Sequence, residues 1–585
     1  MKILGINPNL LHDSGAALVL NDCLAAAVNE ERFTRVKQQQ GVPERSVFEV
    51  LKIANLTPAQ IDRIHIAGYP PVKKLLALGK TFFRLLLFLK FDLVKISFSK
   101  DKFQSVISRR MAKGKGESMN MFVEAFKDIW DMERLLNRLR KEGFSGKICY
   151  IPHHLCHLYA AYSASGFWDK CLVVNIEGSS FEYTANAYIG DKGILKEVVS
   201  TPDPNSAGHF YAAFTELLGL RPGFDEGKVT GLSAWGRVGN LGEEFKNLYE
   251  VAVKMLKLEN LKLKISPDVF LYPFFYSSTG RLPKLLEGFK KEEIAWVAQK
   301  RLEDVICPFV KQLLDQTGCK QIILTGGVAA NVRLNQQVAE LPGVNEIFVY
   351  PGMGDFGNAH GAAIAPKKNG RIKQTKLNDL YLGPEFSEEE MENLLFANKL
   401  KFKKITNGLE DIIAMELAQG KIICIFRGRM EYGPRALGNR SIIAATEIRL
   451  AGKLNKALNR DEFMPFAPLV VYHLGKKCFE NINKAGYCAQ FMTISFRAKD
   501  YFKKLCPAAV HIDNTSRPQL LQKKTNPFLY RVLTQYYKRT KIPGVINTSF
   551  NMHNEPIVCS PQDAIGTFLK SKLDILVMGN FLVRK

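Results

Sequence analysis

The feature that most restricts the fold is a unit that occurs twice: an apolar strand, a small or polar turn, and a second apolar strand. Residues 2–20 read KILGIN, the turn PNLLHDSG and then AALVL, with CLAAAVNEER supplying a third apolar stretch; residues 170–190 read KCLVVNIEGSSFEYTANAYIG. Such a meander can cradle phosphate. Two of them with helices between predict a duplicated α/β domain whose nucleotide cleft lies between the halves. Two further units fit the same architecture. QIILTGGVAANVRLN (321–335) is a strand, a Gly-Gly turn and a helix, and EIFVYPGMGDFGNAHGAAIA (346–365) is a strand, a Gly-rich turn and a small-residue helix. Gly326 and Gly327 let backbone approach a ligand, and the helix N-terminus that follows suits negative charge or a ribose.

Beyond residue 365 the chain turns polar and charged, KKNGRIKQTKLNDLY, a connector. EFSEEEMENLLF then opens a second domain of roughly 200 residues, large enough for its own core. KIICIFRGRM, LVVYHL, AQFMTISF and IPGVINTSF are its expected strands, and AMELAQG, AGKLNKALNR and PFLYRVLTQYYKRT its expected helices. The division expected is 1–368, a linker at 369–384, and 385–585.

The 585 residues are 46% hydrophobic and 24% charged, which excludes wholesale disorder. Lys and Arg number 81 against 57 acidic residues, a formal charge of +24. That excess suits nucleic acid, an anionic membrane or phosphorylated small molecules, and a basic host proteome would produce it as well. The 11 cysteines are scattered without a CxxC, which argues against a zinc knuckle or a secreted disulfide framework and for a reducing cytoplasm. The N-terminus lacks the layout of a signal peptide. Residues 71–116 carry 12 Lys or Arg against Asp92 and Asp101, and include LALGKTFFRLLLFLKF. Lys80, Arg84 and Lys90 interrupt that run too often for a membrane span. A packed basic helix is expected, with an interfacial helix on an anionic membrane as the alternative.

IPHHLCHLYAAYSASG (151–166) puts His153 and His157 four apart, on one helix face, where two imidazoles can clamp a metal; His154 points elsewhere. The missing ligand would be an oxygen from a distant strand end. Asp355 is placed for that role, or equally for a helix N-cap. GRMEYGPRALGNRS (428–441) interleaves Arg429, Arg435 and Arg440 with three glycines. Planar guanidiniums and converging backbone N–H groups suit phosphate or carboxylate more than they suit a solvated face. VINTSFNMHNEPIV presents Asn547, Thr548, Ser549 and Asn551 at a strand exit, donors and acceptors for a carbamoyl or phosphate group. HIDNTSRPQ adds His511, Asp513 and Arg517, and FDEGKVTGLSAWG adds Glu226 and Lys228 beside a helix opening; loop capping would explain each of these as well.

These blocks, with LHDSGAALVL, NEERFTRVK, GHFYAAFTELLG and PFAPLVV, run nearly end to end, and in them the chain resembles the O-carbamoyltransferases of the nodulation-factor, cephalosporin and tobramycin biosynthesis group. The resemblance implies an N-terminal domain with an actin/hexokinase-like (ASKHA) ATPase core, similar to the tRNA threonylcarbamoyl-transfer protein. It implies a separate α/β C-terminal domain similar to the protein that makes threonylcarbamoyl-adenylate. There carbamoyl phosphate and ATP would give carbamoyl-adenylate and pyrophosphate; in the N-terminal domain a substrate hydroxyl would displace AMP. His153, His157 and Asp355 would hold a divalent metal, Fe2+, with Mg2+ accompanying ATP. Gly178, Ser179, Glu226, Lys228, Gly326, Gly327 and Asn331 would serve the nucleotide, and Arg429, Arg435, Arg440, His511, Arg517, Asn547, Ser549 and Asn551 the donor pocket. His12 beside Asp13 is the candidate for proton handling, with turn capping as its other role. The expected partner is a small-molecule or glycan hydroxyl in the cytoplasm. No stable nucleic-acid partner is expected, peripheral membrane contact through 71–116 is open, and so is the oligomeric state.

Two departures from the family pattern stand out. Asn175-Ile176 occupies the place assigned to an Asp-Gly pair of the metal site, which removes one charge; either Glu177, on the same side of the strand, compensates, or the metal is held more weakly or the step is slower. NMHNEP carries Asn554 where a Gly is usual, a residue that tolerates a left-handed turn. Transfer of threonylcarbamoyl to tRNA and a non-catalytic nucleotide-binding regulator are the two competing functions.

Overall fold

The computed structural model describes residues 1–9, 12–70, 117–178, 182–237, 243–266, 286–367, 370–460 and 463–585. The basic stretch 71–116 and Ser179 lie outside the described residues.

The first meander folds as β1 (Lys2–Asn7), β2 (Gly15–Leu20) and β3 (Cys23–Asn29), antiparallel, with β4 (Arg63–Ala67) and β5 (Lys147–Ile151) added parallel on the far side of β1. Its order is β3-β2-β1-β4-β5. The second meander repeats it: β6 (Cys171–Ile176), β7 (Tyr183–Asp191) and β8 (Ile194–Pro202), then, after a hairpin of β9 (Leu256–Glu259) and β10 (Lys262–Ile265), the parallel strands β11 (Gln321–Thr325) and β12 (Glu346–Val349). The order β12-β11-β6-β7-β8 is the same arrangement, strand for strand. This duplicated sheet is the actin/hexokinase-like ATPase architecture, α/β as the sequence predicted.

Period-two alternation decides what covers each face. Leu4, Ile6, Ala16 and Leu18 meet Val47, Val50 and Leu51 of the helix Glu44–Ile53 and Leu135, Leu136 and Leu139 of Glu117–Lys141, whereas Ile3 and Val19 meet Ala363 and Ile364. The helices His153–Ser165 and Asn358–Ile364 lie between the two sheets and bind the halves together. Their contact is too close for side chains. A Cβ on Gly361 would stand 1.9 Å from the carbonyl oxygen of Cys156, and one on Gly5 2.0 Å from that of Ala359. Gly361→Ala should therefore destabilise the protein by about 1–3 kcal/mol, read as a shifted midpoint in urea.

The C-terminal domain is a mixed eight-stranded sheet in the order β13-β22-β21-β14-β15-β20-β16-β19. The strands are β13 (Phe402–Lys404), β14 (Ile423–Phe426), β15 (Arg440–Ala445), β16 (Ala467–Val471), β19 (Gln519–Leu521), β20 (Gly544–Ser549), β21 (Ile575–Met578) and β22 (Phe581–Arg584), and β17 (Phe496–Arg497) pairs apart with β18 (Thr515–Ser516). Ile423, Ile425 and Ile443 face the helices Leu409–Ala418 and Pro527–Thr540; Cys424, Phe426, Ile442 and Ala444 face Glu388–Ala397, Ile448–Leu458 and Pro561–Ser571. AQFMTISF, expected as a strand, is instead a 3₁₀ turn and a bend before β17. Its buried Phe491, Met492 and Ile494 fill the core beside Ile482 and Ala485 without an alternating face to offer. The polar connector is not a free linker. Thr375 N–H donates to the Ser163 carbonyl, Gly383 N–H to that of Met430, and the Leu382 carbonyl accepts from Ala27 N–H, so it is stitched to both domains. Among the described residues no helix is long and apolar enough to cross a membrane.

Candidate functional site

His153 and His157 occupy the first turns of the helix that leaves β5, Glu177 follows the end of β6, and Asp355 opens the turn after β12. Both sheets thus deliver residues from their carboxyl ends into one crevice. The two Nε2 atoms are 3.2 Å apart. His153 Nε2 lies 3.1 Å from Glu177 Oε2 and 3.1 Å from Asp355 Oδ1, and His157 Nε2 lies 3.2 Å from Asp355 Oδ1 and 3.6 Å from Glu177 Oε2. Atoms about 2.1 Å from a first-row cation and at right angles around it stand about 3 Å apart, so this donor set has the spacing of a ligand sphere. All four residues are buried or half-buried. Burial opposes charge on each, yet the carboxylates of Asp355 and Glu177 hold His153 well above the usual imidazole range, and His153 and His157 hold Asp355 well below the usual carboxylate range. Neutral amides fix the carboxylates: Asn9 and Asn358 donate to Asp355, and Asn175 donates to Glu177.

The departure read at Asn175 therefore does not remove charge from the site. Asn175 is an amide that orients Glu177, and Glu177-Gly178 stands where the Asp-Gly pair was expected, one methylene longer. Asp355 does not cap: no side-chain cap is made there, and its oxygens face the histidines. His154 faces away, its ring edge-on to Tyr183 at 5.1 Å between centroids.

His12 borders the cluster, Nδ1 3.0 Å from Asp13 Oδ2 and 4.0 Å from Asp355 Oδ2. Burial lowers its pKa, but Asp13 and then Asp355 carry it up to about 9, while burial pushes the Asp13 carboxyl up to about 6. Asp13 adopts the left-handed region, φ 61°.

The expected nucleotide residues divide. Gly326 has φ 87°, and a Cβ there would meet the Ile176 carbonyl oxygen at 2.4 Å; Gly327 faces open space. Gly178 is similarly uncrowded, with only the His209 ring near. Asn331 is committed elsewhere: it caps the helix Val332–Ala339 through Leu334 N–H and exchanges hydrogen bonds with Gln299. Glu226 accepts from Gly223 N–H at 2.5 Å, and Lys228 pairs with Asp225 at 3.4 Å, so both brace their own turn.

In the C-terminal domain the three arginines of GRMEYGPRALGNRS separate. Arg429 donates to the carbonyls of Leu382, Gly383 and Ala25, the last in β3. Arg440, with no exposed surface, donates to the carbonyls of Arg427, Gly428, Asn439 and Pro384 and lies 3.8 Å over the Phe426 ring. Backbone carbonyls take N–H groups of both, which makes each a strut of its loop in this structure. Arg435 differs: its guanidinium makes no hydrogen bond among the described residues, whereas Arg440, whose Nε is likewise without a partner, is held through Nη1 and Nη2. Burial lowers Arg435 to about 10, and burial together with Arg435 and Arg460 drives Arg517 well below the usual guanidinium range. Arg435 and Arg460 thus each lie near enough to Arg517 to repel its charge. Asn547 holds the walls of this pocket, donating to the Ala436 carbonyl at 3.2 Å and to Gln519 Oε1 at 2.7 Å, and Arg460 reaches the hydroxyl of the adjacent Thr548 at 3.4 Å. Guanidiniums gathered in this way suit an anion. Arg460 was missed from the sequence because it follows the end of an ordinary amphipathic helix, Ile448–Leu458, with no glycine to flag it. Ser549 ends β20 opposite Ser441. Asn551 turns inward on the carbonyls of Met552 and Glu555.

His511 is 3.6 Å from Asp513, which accepts from Thr515 and from Arg333 of the N-terminal domain. Burial would raise Asp513, but hydrogen bonds from His511 and Thr515 and the charge of Arg333 hold it far below the usual range. A depressed folded pKa means this latch contributes fully above the unfolded value near 4 and is lost as pH falls through the lower folded one. Asp513→Asn should lower stability at pH 7 and flatten its decline below about pH 4, measured by urea unfolding across pH.

NEERFTRVK crosses between the domains. Arg32 donates to the Gly433 carbonyl at 2.8 Å, and Arg35 to the carbonyls of Ile557 at 2.7 Å and Pro556 at 2.8 Å. Tyr432 donates its hydroxyl to the Phe356 carbonyl, next to Asp355. The guanidinium pocket and the four-donor cluster are therefore joined by one loop.

Comparison with known proteins places this geometry. Residues 2–364 match the model of the carbamoyltransferase N-terminus and residues 414–585 that of the carbamoyltransferase C-terminus. An uncharacterized protein of Methanocaldococcus jannaschii is 33% identical over 100% of this chain and 99% of its own. Nodulation protein NolNO of Sinorhizobium fredii is 28% identical over 99% of this chain and 80% of its own, and nodulation protein NolO of Bradyrhizobium diazoefficiens is 32% identical over 74% and 78%. Among solved structures, a ROK hexokinase from Thermus thermophilus covers 62% of this chain and 97% of that one at 12% identity with a TM-score of 0.28, too distant to add to the strand order. Both halves of one enzyme family match in sequence, in order and nearly to the ends, and the chain is a transferase that belongs to the carbamoyltransferase family.

Proposed function

We propose that the protein is an ATP-dependent O-carbamoyltransferase that uses carbamoyl phosphate and modifies a hydroxyl of a small metabolite, antibiotic or glycan in the cytoplasm. The observation that carries this is the pairing of an anion pocket, Arg435 with Arg460 and Arg517, and a four-donor cation site on the two sides of one loop. The chemistry needs both. Nitrogen donation makes a carbamoyl carbon a poor electrophile, so it must first be joined to a good leaving group. Water cleaves the P–O bond of carbamoyl phosphate, releasing phosphate and carbamate; a carbamate oxygen attacks the α-phosphorus of ATP, and pyrophosphate leaves. The guanidiniums hold these anions and offset the charge that develops on them.

The acceptor oxygen then adds to the carbamoyl carbon of carbamoyl-adenylate, and AMP leaves. A divalent cation, Fe2+ in this reading, held by His153, His157, Glu177 and Asp355 would polarise the adenylate and lower the cost of ionising the acceptor hydroxyl. Asp13, whose carboxyl titrates near 6, is suited to take the hydroxyl proton, and protonated His12 steadies the resulting charge. Gly178 and Gly327 leave room for the adenylate against the backbone, and Gly326 lets that turn close on the Ile176 carbonyl. The test is release of pyrophosphate and phosphate from ATP and carbamoyl phosphate by metal-loaded protein, with AMP following when an acceptor hydroxyl is added. Absence of pyrophosphate release across a metal series would reject the reading.

A further inference from the structure

We propose that Tyr432 is a positioning residue that couples occupancy of the guanidinium pocket to the four-donor cluster, by tying the loop that carries Arg435 to the loop that carries Asp355. The inference rests on the reading of these centres as an anion pocket and a cation site.

The tie is direct. The Tyr432 ring is 2% exposed, and its hydroxyl donates to the carbonyl of Phe356, whose neighbour Asp355 faces both histidines. The next residue, Gly433, has φ 97°, comes close to the Pro351 carbonyl of the same turn, and accepts from Arg32. Most of the rest of the loop is braced, with Glu431 Oε2 and Arg440 Nε left without partners. Glu431 accepts from the N–H groups of Leu437, Asn439 and Arg440 at 2.9, 2.7 and 3.1 Å, and Arg429 and Arg440 are pinned by carbonyls. Arg435, three residues after Tyr432, is the loop arginine that no carbonyl holds, its buried Nε without a partner. It is the member of the loop that an arriving anion would seat. A rigid segment with one responsive end transmits that seating to its other anchor. The state in which Arg435 is held by an anion is then the state in which Tyr432 best fixes Phe356 and Asp355. Differential affinity of this kind must act in both directions.

The test is linkage rather than turnover. Mn2+ affinity of the full-length protein is measured from the electron paramagnetic resonance signal of the free ion, with and without saturating carbamoyl phosphate and with a protein-free blank for chelation. Wild type is expected to bind Mn2+ about 5–20-fold more tightly when carbamoyl phosphate is present. Tyr432→Phe keeps the ring and should reduce that factor to less than about twofold, with Mn2+ affinity in the absence of the anion altered less than about threefold. Tyr381→Phe is the control: its hydroxyl donates to the Leu437 carbonyl at 3.0 Å, on the same loop but away from the metal turn, so the coupling should survive. A wild-type factor of one, a factor retained in Tyr432→Phe, or an equal loss in Tyr381→Phe would overturn the proposal while leaving the two-centre reading in place. Wild type that binds neither probe would overturn both.

Discussion

His157→Ala is expected to abolish acceptor-dependent AMP release while pyrophosphate release from ATP and carbamoyl phosphate stays within about threefold of wild type. His157 is 1% exposed and meets Asp355 at 3.2 Å, and it belongs to the cluster between the two sheets, not to the guanidinium pocket. Removing one of four donors should weaken divalent-metal affinity at least about 100-fold, measurable by equilibrium dialysis without any assay of activity. The split between half-reactions is the informative part. If His157→Ala lowers pyrophosphate release as strongly as AMP release, the cluster serves the first chemistry too and the division between domains is wrong. Glu177→Gln should behave in the same direction, because it removes charge without changing shape.

Arginine substitutions in the C-terminal domain should sort into two opposite phenotypes. Arg517→Ala removes the guanidinium that Arg435 and Arg460 both repel, so the ligand-free protein should be no less stable, whereas pyrophosphate formation should fall by about 10²–10³-fold. Arg440→Ala takes a donor from four backbone carbonyls, two of which, Asn439 and Pro384, keep a backbone N–H, and empties space over Phe426, so a loss of about 3 kcal/mol is expected before any question of catalysis arises. Thermal unfolding with and without carbamoyl phosphate separates the two: Arg517→Ala should lose the ligand-induced rise in Tm, and Arg440→Ala should begin from a lower baseline. Equal destabilisation by both would mean that Arg517 is structural and that the pocket has been misplaced.

The two arginines stand in similar polar stretches of sequence, and no local signal tells them apart. Density of Arg and Gly in GRMEYGPRALGNRS marked a backbone that must approach anions or carbonyls, and it did not say which. Arg440 finds carbonyls because β15 begins there and points it back over Phe426; Arg435 meets none and lies near Arg517 instead. Burial and partner choice are set by strands far apart in the chain, and Arg460 became visible only through them.

Local periodicity and turn chemistry determined much of this protein in advance. The two meanders, the Gly-Gly turn at 326–327, the i, i+4 histidines and the small-residue helix at 358–364 follow from residue spacing alone, since side-chain direction repeats with the period of the backbone. Tertiary structure decided what spacing cannot reach: that Glu177, not Asn175, carries the charge toward the histidines, that AQFMTISF packs without becoming a strand, and that Tyr432 spans from one domain to the turn of the other. Each is a choice among partners separated by tens to hundreds of residues, where the energy depends on which groups meet and are shielded from water rather than on the order in which they occur.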